Sequence, residues 1–315
     1  MKEKKVFQTS EENLAIELPH NWIKQNDISS KNVLQCREYK HSLLILHDKI
    51  TLKQTIGHID FDSISLKLFN KLLISYYLKN ISDIKITGEE LENRFEHVKT
   101  YVKKLPGLQI VNITSKSIDL KNEINLKHIC VKSLISNVEN CLSSMYKQLQ
   151  CVEPKKVYFQ IQELDISINE IYLLIKKYLN FATQIEIDIE IVSKALSYSK
   201  IISAYEKIGD ILKRISRYYK THIENPEEII PLINPTIDLI IQYHDDVIHF
   251  KNKSKDKYES LNALQNTKNS ILREIEEKSN LRNSNYTLEL VISQLIKDVL
   301  GEYDKIIESI IDTHE

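Results

Sequence analysis

Two short segments of the chain place acidic residues four positions apart, with a glycine between them. Residues 206–210 read EKIGD and residues 298–302 read DVLGE. On a helix, side chains at i and i+4 lie on one face, about 5–6 Å apart. Carboxylates on facing helices of a bundle bind hard or borderline cations such as Mg, Mn or Fe. The candidate ligands of a divalent metal or iron are Glu206, Asp210, Asp298 and Glu302.

The glycines of these segments, Gly209 and Gly301, are unusual inside helical text. Glycine in a helix interior costs about 1 kcal/mol relative to alanine, and like charges at i and i+4 repel by a few tenths of a kcal/mol. A missing side chain would let a neighbouring helix or a metal ion approach closely. The alternative is that the acids are solvated and the glycines only ease helix packing, and spacing alone favours this alternative.

Two further polar groups lie in helical stretches. Asp165, followed four residues later by Asn169, could face the same acidic cluster, although an exposed stripe is the alternative. Residues 243–246 (YHDD) and His249 form the second group. Its two histidines are five positions apart, which is poor geometry for two ligands on one helix. We therefore predict that this second group lies on the surface.

A separate candidate site is basic and lies near the N-terminus. If lysine and arginine side chains there cluster on one face of a dimer, they could contact DNA phosphates. The alternative is that they form an ordinary solvated face. The net charge of −1 gives the chain no global basic field for nucleic acid, so any DNA contact must be local. The candidate DNA-binding residues are Lys2, Lys4, Lys5, Lys24 and Arg37.

Nothing in the sequence supports an enzyme. There is no nucleophile elbow, Cys/His pair, G-x-G-x-x-G or Walker motif. The four cysteines form no C-x-x-C, so we predict buried, reduced thiols and neither a zinc site nor disulfides. No signal peptide is evident, and no segment approaches the roughly 18 apolar residues of a membrane span. We expect a cytoplasmic protein without membrane insertion.

The scarcity of turn residues indicates how these groups are positioned. With five glycines and six prolines in 315 residues, long helices are expected, and a β-sandwich or TIM barrel is unlikely. Short strands and a one-turn helix are predicted up to residue 48, a unit too small to bury a core alone. Residues 58–124 mix helices and strands, and residues 64, 68, 72 and 76 keep a helical spacing of four. The predicted helical segments after these are 125–150, 155–182, 187–222, 226–252, 255–282 and 285–313.

The predicted helical segments show further patterns in their apolar and acidic residues. In the third segment, apolar and tyrosine residues from Tyr198 to Tyr219 stay on one face, which predicts a buried stripe. Residues 185–191 alternate isoleucine with polar residues, so an extended conformation is the alternative to helix there. The two acid-glycine-acid segments each fall in the last helix of a triplet, which indicates a duplicated three-helix unit.

Several stretches resemble known families, in the order that those families show. Residues 5–9 (KVFQT), 14–24 (LAIELPHNWIK) and 42–45 (SLLI) resemble the swapped-hairpin domain of the AbrB/SpoVT type. Residues 205–210 (YEKIGD) are similar to the "l-E-R-I-G-D" text of the PhoU family. Residues 105–111 (LPGLQIV) match a turn in archaeal proteins that join these two domains.

The PhoU resemblance implies two three-helix repeats, cytoplasmic regulation of phosphate uptake, and metal clusters at E/D-x-x-x-D motifs. Glu206 and Asp210 match that motif directly, and the pair on the sixth helical segment matches it less well. Asn169 stands where the family has an aspartate after Asp165. Residues 10–13 (SEEN) replace the glycine-rich turn of the DNA-binding hairpin and put acids near the expected DNA face.

Residues and resemblance together predict a mainly α protein. We expect an AbrB-like swapped-hairpin domain (1–48), a connecting α+β segment (49–124) and two three-helix PhoU-like bundles (125–222 and 223–315). The expected function is a non-enzymatic, homodimeric regulator of phosphate uptake or phosphate-responsive transcription. It would contact DNA or a phosphate transporter or sensor protein, with a metal in the bundle. The alternative is a DNA-independent helical adaptor that binds a transporter or another protein.

Overall fold

A computed structural model gives the fold of the chain. It describes residues 5–10, 14–39, 42–47, 56–89, 91–185, 189–222, 226–252, 257–280 and 286–312. The chain divides into two compact units, Met1–Gln54 and Thr55–Glu315. As predicted, the protein is mainly helical with a small β-rich region at its N-terminus.

The first unit consists of two hairpins around a short helix. Strand β1 (Val6–Gln8) pairs antiparallel with β2 (Leu14–Ile16), and β3 (Leu34–Tyr39) pairs antiparallel with β4 (Ser42–His47). Helix α1 (His20–Gln25) begins directly after Pro19, whose fixed φ suits a helix start. No residue of this unit whose burial is described is buried. The exposed large apolar residues are Val6, Phe7, Leu14, Ile16, Val33 and Leu43.

The second unit begins with a four-stranded sheet of order β5-β6-β8-β7. Strand β5 (Ile56–Asp60) runs parallel to β6 (Asp83–Thr87), and β8 (Ser117–Asn122) pairs antiparallel with β6 and with β7 (Leu108–Ile113). Strand β5, which is short and contains Gly57, was not predicted from the sequence. Its extended conformation depends on pairing with β6.

Two helices accompany the sheet, α2 (Leu66–Leu78) and α3 (Leu91–Val102). The Ser65 side chain caps α2 by accepting a hydrogen bond from the Leu68 amide. The helix lies where the spacing of four predicted it, but its buried stripe is Phe69, Leu73 and Tyr77, one residue along from the predicted stripe. Leu68 is 44% exposed.

A 3₁₀ turn (Leu126–His128) leads into the helical part of the chain. Its helices follow the predicted segments closely and are α4 (Val131–Leu149), α5 (Pro154–Ile185), α6 (Ile189–His222), α7 (Pro226–Asn252), α8 (Lys257–Asn280) and α9 (Tyr286–Asp312). The predicted stripe of α6 is confirmed, since its residues from Ile201 to Tyr219 are buried and Tyr198 is half-buried. Of the segment 185–191, residues 186–188 lie outside the described part of the chain.

The six helices share one hydrophobic core. Helices α4, α5 and α6 pack together, as do α7, α8 and α9, and the two groups meet where α6 packs against α9 and α4 against α7. None of the described helices is long and apolar enough to cross a membrane.

Helix α5 also contacts the sheet part of the second unit. Leu173 packs against the core of the sheet, and the Asn180 side-chain amide donates a hydrogen bond to the Leu78 carbonyl at 3.2 Å. The Lys177 ammonium donates to Asn122 Oδ1 at 2.6 Å. The sheet and the bundle therefore share α5.

The prediction of buried cysteines is wrong. Cys36, Cys130 and Cys151 are exposed and Cys141 is half-buried, and all four are free thiols. Cys130 immediately precedes α4 and Cys151 lies two residues beyond its end, which explains why their short apolar side chains miss the core.

Candidate functional site

An open cleft between α6 and α9 contains parts of both acid-glycine-acid segments. Its volume is about 650 Å³. The two segments lie about 90 residues apart in the sequence, and the packing of α6 against α9 brings them together. The lining residues are Lys207, Asp210, Ile211, Lys213, Arg214, Arg217, Lys297, Asp298, Gly301, Glu302 and Lys305.

On the α6 side, three predicted carboxylates interact with one another. Asp165 of α5 is 2% exposed, and its Oδ2 lies 2.5 Å from Lys213 Nζ. Burial and the nearby charges of Asp210 and Asp165 together raise the pKa of Glu206 to about 7. Burial and Asp165 likewise raise the pKa of Asp210. Asp165 is therefore buried beside Lys213 and does not belong to an exposed stripe.

On the α9 side, the carboxylates are bound by neighbouring side chains. Glu302 Oε1 lies 2.7 Å from Lys305 Nζ and 3.8 Å from Lys207 Nζ, the second being a contact between helices. Asp298 Oδ1 accepts a hydrogen bond from the Gln294 amide at 3.0 Å. Glu302 Oε2 is buried and makes no hydrogen bond with the described residues.

These carboxylates, as placed, do not fit a metal ion. Within the described ranges, no three His, Cys, Asp or Glu side chains are grouped so that they could hold one. Lysine ammonium groups already contact Asp165 and Glu302, where a cation would have to bind. Metal binding by Glu206 and Asp210 stays a prediction, which elemental analysis of the purified protein beside the double alanine variant can decide.

The two glycines, which looked equivalent in the sequence, have different surroundings. A Cβ built on Gly209 would lie 3.3 Å from Cδ1 of the buried Ile168, so this glycine allows α5 and α6 to pack closely. A Cβ built on Gly301 would meet nothing within 4 Å, and Gly301 lines the cleft. Packing therefore accounts for Gly209 but not for Gly301.

A buried polar contact at the centre of the bundle was missed by the sequence analysis. Glu139 of α4 is 3% exposed and accepts hydrogen bonds from the Tyr205 hydroxyl at 2.7 Å and from the Lys251 ammonium. One carboxylate thus joins α4, α6 and α7. A signal was present, since Tyr205 lies in the apolar stripe of α6 and a buried tyrosine hydroxyl needs a partner.

His244 continues this network and corrects the prediction that residues 243–246 lie on the surface. Tyr243 and His244 are buried, whereas Asp245 is exposed. His244 Nδ1 lies 2.6 Å from the Tyr303 hydroxyl, which in turn lies 3.0 Å from the Tyr146 hydroxyl. Burial lowers the pKa of His244 and so favours the neutral ring. The buried, hydrogen-bonding role of His244 was not predicted, because the histidines were considered only as possible metal ligands.

The candidate DNA-binding residues belong to the first unit, and the structure describes them only in part. Lys5 and Lys24 are exposed. Arg37 lies in β3 with its backbone opposite Leu44, and nothing is described of its side chain. Lys2 and Lys4 lie outside the described residues, as do residues 11–13 of the segment that replaces the glycine-rich turn.

Exchanging Glu206 for glutamine is expected to stabilise the protein at pH 8 and to change little at pH 5. The folded state raises the pKa of this carboxyl from 4.5 to about 7, so the folded state keeps the proton to higher pH than the unfolded chain does. Wild-type stability is therefore lost as the pH rises from 4.5 through 7. Because solvent screens this half-exposed group, we expect a gain of about 1 kcal/mol at pH 8.

Urea unfolding followed by the helical circular dichroism signal measures this difference at both pH values. Glu163→Gln is the matched control, because Glu163 is an exposed acid on α5. The control should unfold like the wild type at either pH. A Glu206→Gln protein no more stable than wild type at pH 8 would contradict the raised pKa.

Comparison with models of known protein families, with curated proteins and with solved structures finds no match for this chain.

Proposed function

We propose that the chain is a non-enzymatic, homodimeric regulator of phosphate metabolism. The observation that carries this proposal is the meeting of the two acid-glycine-acid segments across one cleft. The first of these segments supplies the resemblance to PhoU, and the second repeats its pattern in the second group of three helices. A cleft built from both groups is a natural place for a signal to act on the whole bundle.

The proposed dimer is supported by the composition of the first unit. Several of its apolar side chains are exposed, among them Leu14 at 71% and Val6 at 58%. A unit of about 50 residues buries a small share of its unfolded surface and is only marginally stable alone. A second copy of the same hairpins would cover these side chains symmetrically.

We expect the wild-type protein to have twice its 36.9 kDa chain mass in light scattering. The double variant Leu14→Asp, Ile16→Asp should be monomeric, because it places charges on the exposed apolar face of β2. Val111→Asp, Ile113→Asp is the matched control, since these two residues of β7 are 54% and 53% exposed. The control should remain dimeric, and a monomeric wild type would overturn the proposed dimer.

In the proposed function, the regulator contacts DNA or a protein partner. The alternative function is a helical adaptor that binds a protein partner and no DNA. A gel-shift experiment with random duplex at low salt separates the two. Binding that weakens when Lys5 and Lys24 are both replaced by glutamine supports the DNA route. If micromolar protein shifts no DNA, the adaptor function remains, and its proposed partner is a phosphate transporter or sensor protein.

A further inference from the structure

The cleft between α6 and α9 is lined by more cations than anions. Six lysine or arginine side chains face it, against three carboxylates. Of these six, Lys207 and Lys305 contact Glu302, and Lys213 contacts Asp165. The other three, Arg214, Arg217 and Lys297, form no ion pair or side-chain hydrogen bond with the described part of the chain. Arg217 and Lys297 therefore have no charge partner among the described residues, and Arg214 has only the nearby charge of Asp210.

These cations follow an elongated path. Lys207, Arg214 and Arg217 lie on α6 at helical intervals, so they share a face that extends about 15 Å along the axis. Lys297 and Lys305, eight residues apart on α9, line the opposite side. Arginine guanidinium groups bind phosphate oxygens in a bidentate manner. The arrangement suits an extended ligand with several negative groups better than a single compact ion.

The space needed for such a ligand is kept open at Gly301. A side chain there would extend into unoccupied space at the wall of the cleft. The volume of about 650 Å³ lies within the range of small-molecule sites, which is roughly 300–1,000 Å³. The glycine has a cost in helix stability that packing does not repay, which points to the cleft as its reason.

The acidic residues of the cleft do not cancel this charge. Glu302 is bound by two lysines, and Asp298 accepts a hydrogen bond from Gln294. The charges of Lys213 and Arg214 act to lower the pKa of Asp210, against the effect of its burial. We propose that the α6–α9 cleft binds an extended polyphosphate anion, held by Arg214, Arg217 and Lys297. This deepens the proposed function, since it names the ligand class of the same cleft.

Isothermal titration calorimetry of the full chain with inorganic tripolyphosphate tests the proposal. We expect one site per chain, with affinity falling as salt rises. The variant Arg214→Gln, Arg217→Gln should bind at least 10-fold more weakly. The matched control is Lys155→Gln, Arg273→Gln, which removes the same charge from exposed positions on α5 and α8 outside the cleft. Equal losses in both variants would overturn the site, because binding would then follow net charge alone.

A second variant guards against a folding artefact. Leucine is a better helix former than glycine, so Gly301→Leu should melt no lower than wild type while its side chain extends into the cleft. Binding by this variant should also fall at least 10-fold, and unchanged binding would overturn the proposal. Adenosine triphosphate is titrated in parallel. Tighter binding of the nucleotide supports a nucleotide source of the phosphate chain, and equal or weaker binding supports a free one.

Two ligands of other chemistry complete the test. Citrate bound as tightly as tripolyphosphate would contradict a phosphate site. Binding of Mn²⁺ alone, with none of tripolyphosphate, would also overturn the proposal, because the acids would then be the ligands. A dimeric protein that shifts DNA but does not bind tripolyphosphate would agree with the proposed regulatory function. That outcome would refute only the polyphosphate site.

Discussion

Replacing Lys251 with methionine is expected to lower the free energy of unfolding by about 3 kcal/mol. The Lys251 ammonium pairs with Glu139, whose side chain is 4% exposed. Without the lysine, Glu139 stays inside the bundle with the Tyr205 hydroxyl as its remaining described partner. Removing one member of a buried pair is costly because the other charge is left without compensation and without water.

Urea unfolding at neutral pH, followed by circular dichroism, measures this loss. The matched control is Lys156→Met, since Lys156 pairs with Glu153 at the surface, where both side chains are more than 60% exposed. An exposed pair contributes less than about 1 kcal/mol, so the control should unfold nearly as the wild type does. A loss below 1 kcal/mol for Lys251→Met would contradict the buried pair.

Replacing Lys177 with methionine is expected to have the opposite effect and to stabilise the protein by about 2 kcal/mol at pH 7. Lys177 is fully buried, and its ammonium lies 2.6 Å from Asn122 Oδ1 and 4.2 Å from the centre of the Tyr77 ring. No carboxylate among the described residues pairs with it. Burial lowers its pKa from 10.5 to about 7.

The gain should depend on pH. Between pH 7 and 10.5 the unfolded chain holds the proton of Lys177 while the folded protein releases it, so wild-type stability rises with pH over this range. The variant lacks this group, so its advantage should shrink as the pH approaches 10. Lys71→Met, an exposed position on α2, is the control and should show no such trend. A destabilised Lys177→Met protein at pH 7 would show that the contacts with Asn122 and Tyr77 outweigh burial.

These two lysines illustrate what could not be read from the sequence. Both lie in helical text, and both are largely buried in the structure. Only one of them meets a carboxylate, and that carboxylate, Glu139, lies more than 100 residues away in the chain. A local pattern predicts which face of a helix is buried, but the partner of a buried polar group depends on how distant helices pack.

The helices themselves were predictable because their signals are local. Few glycines and prolines, apolar spacing of three and four, and polar breaks place α5 to α9 within three residues of their observed ends. Helix α4 begins six residues later than predicted, after a 3₁₀ turn. Strand β5 was missed because it is short and is stabilised by pairing with a strand after α2. The predicted stripe of α2 is displaced by one residue from the buried stripe, because the two have the same spacing. Only packing against the sheet selects between them.

The candidate site was predicted in part. The segments 206–210 and 298–302 were singled out as metal ligands, and the structure shows that each contributes residues to the cleft. The basic residues around them, such as Arg214 and Lys297, were not noticed, because each looks like an ordinary surface residue until α6 and α9 are placed side by side. The same placement separates Gly209, which permits packing, from Gly301, which borders open space.

The sharing of α5 between sheet and bundle has a mechanical consequence. Asp165, beside the cleft, and Lys177, against the sheet, lie on one uninterrupted helix. They are 12 residues apart, which corresponds to about 18 Å of rigid rod. A displacement of Lys213 that pulls on Asp165 would be carried along this rod to Asn122 at the end of β8. Helix α5 therefore links the charged cleft to the last residue of β8 through these two ammonium contacts.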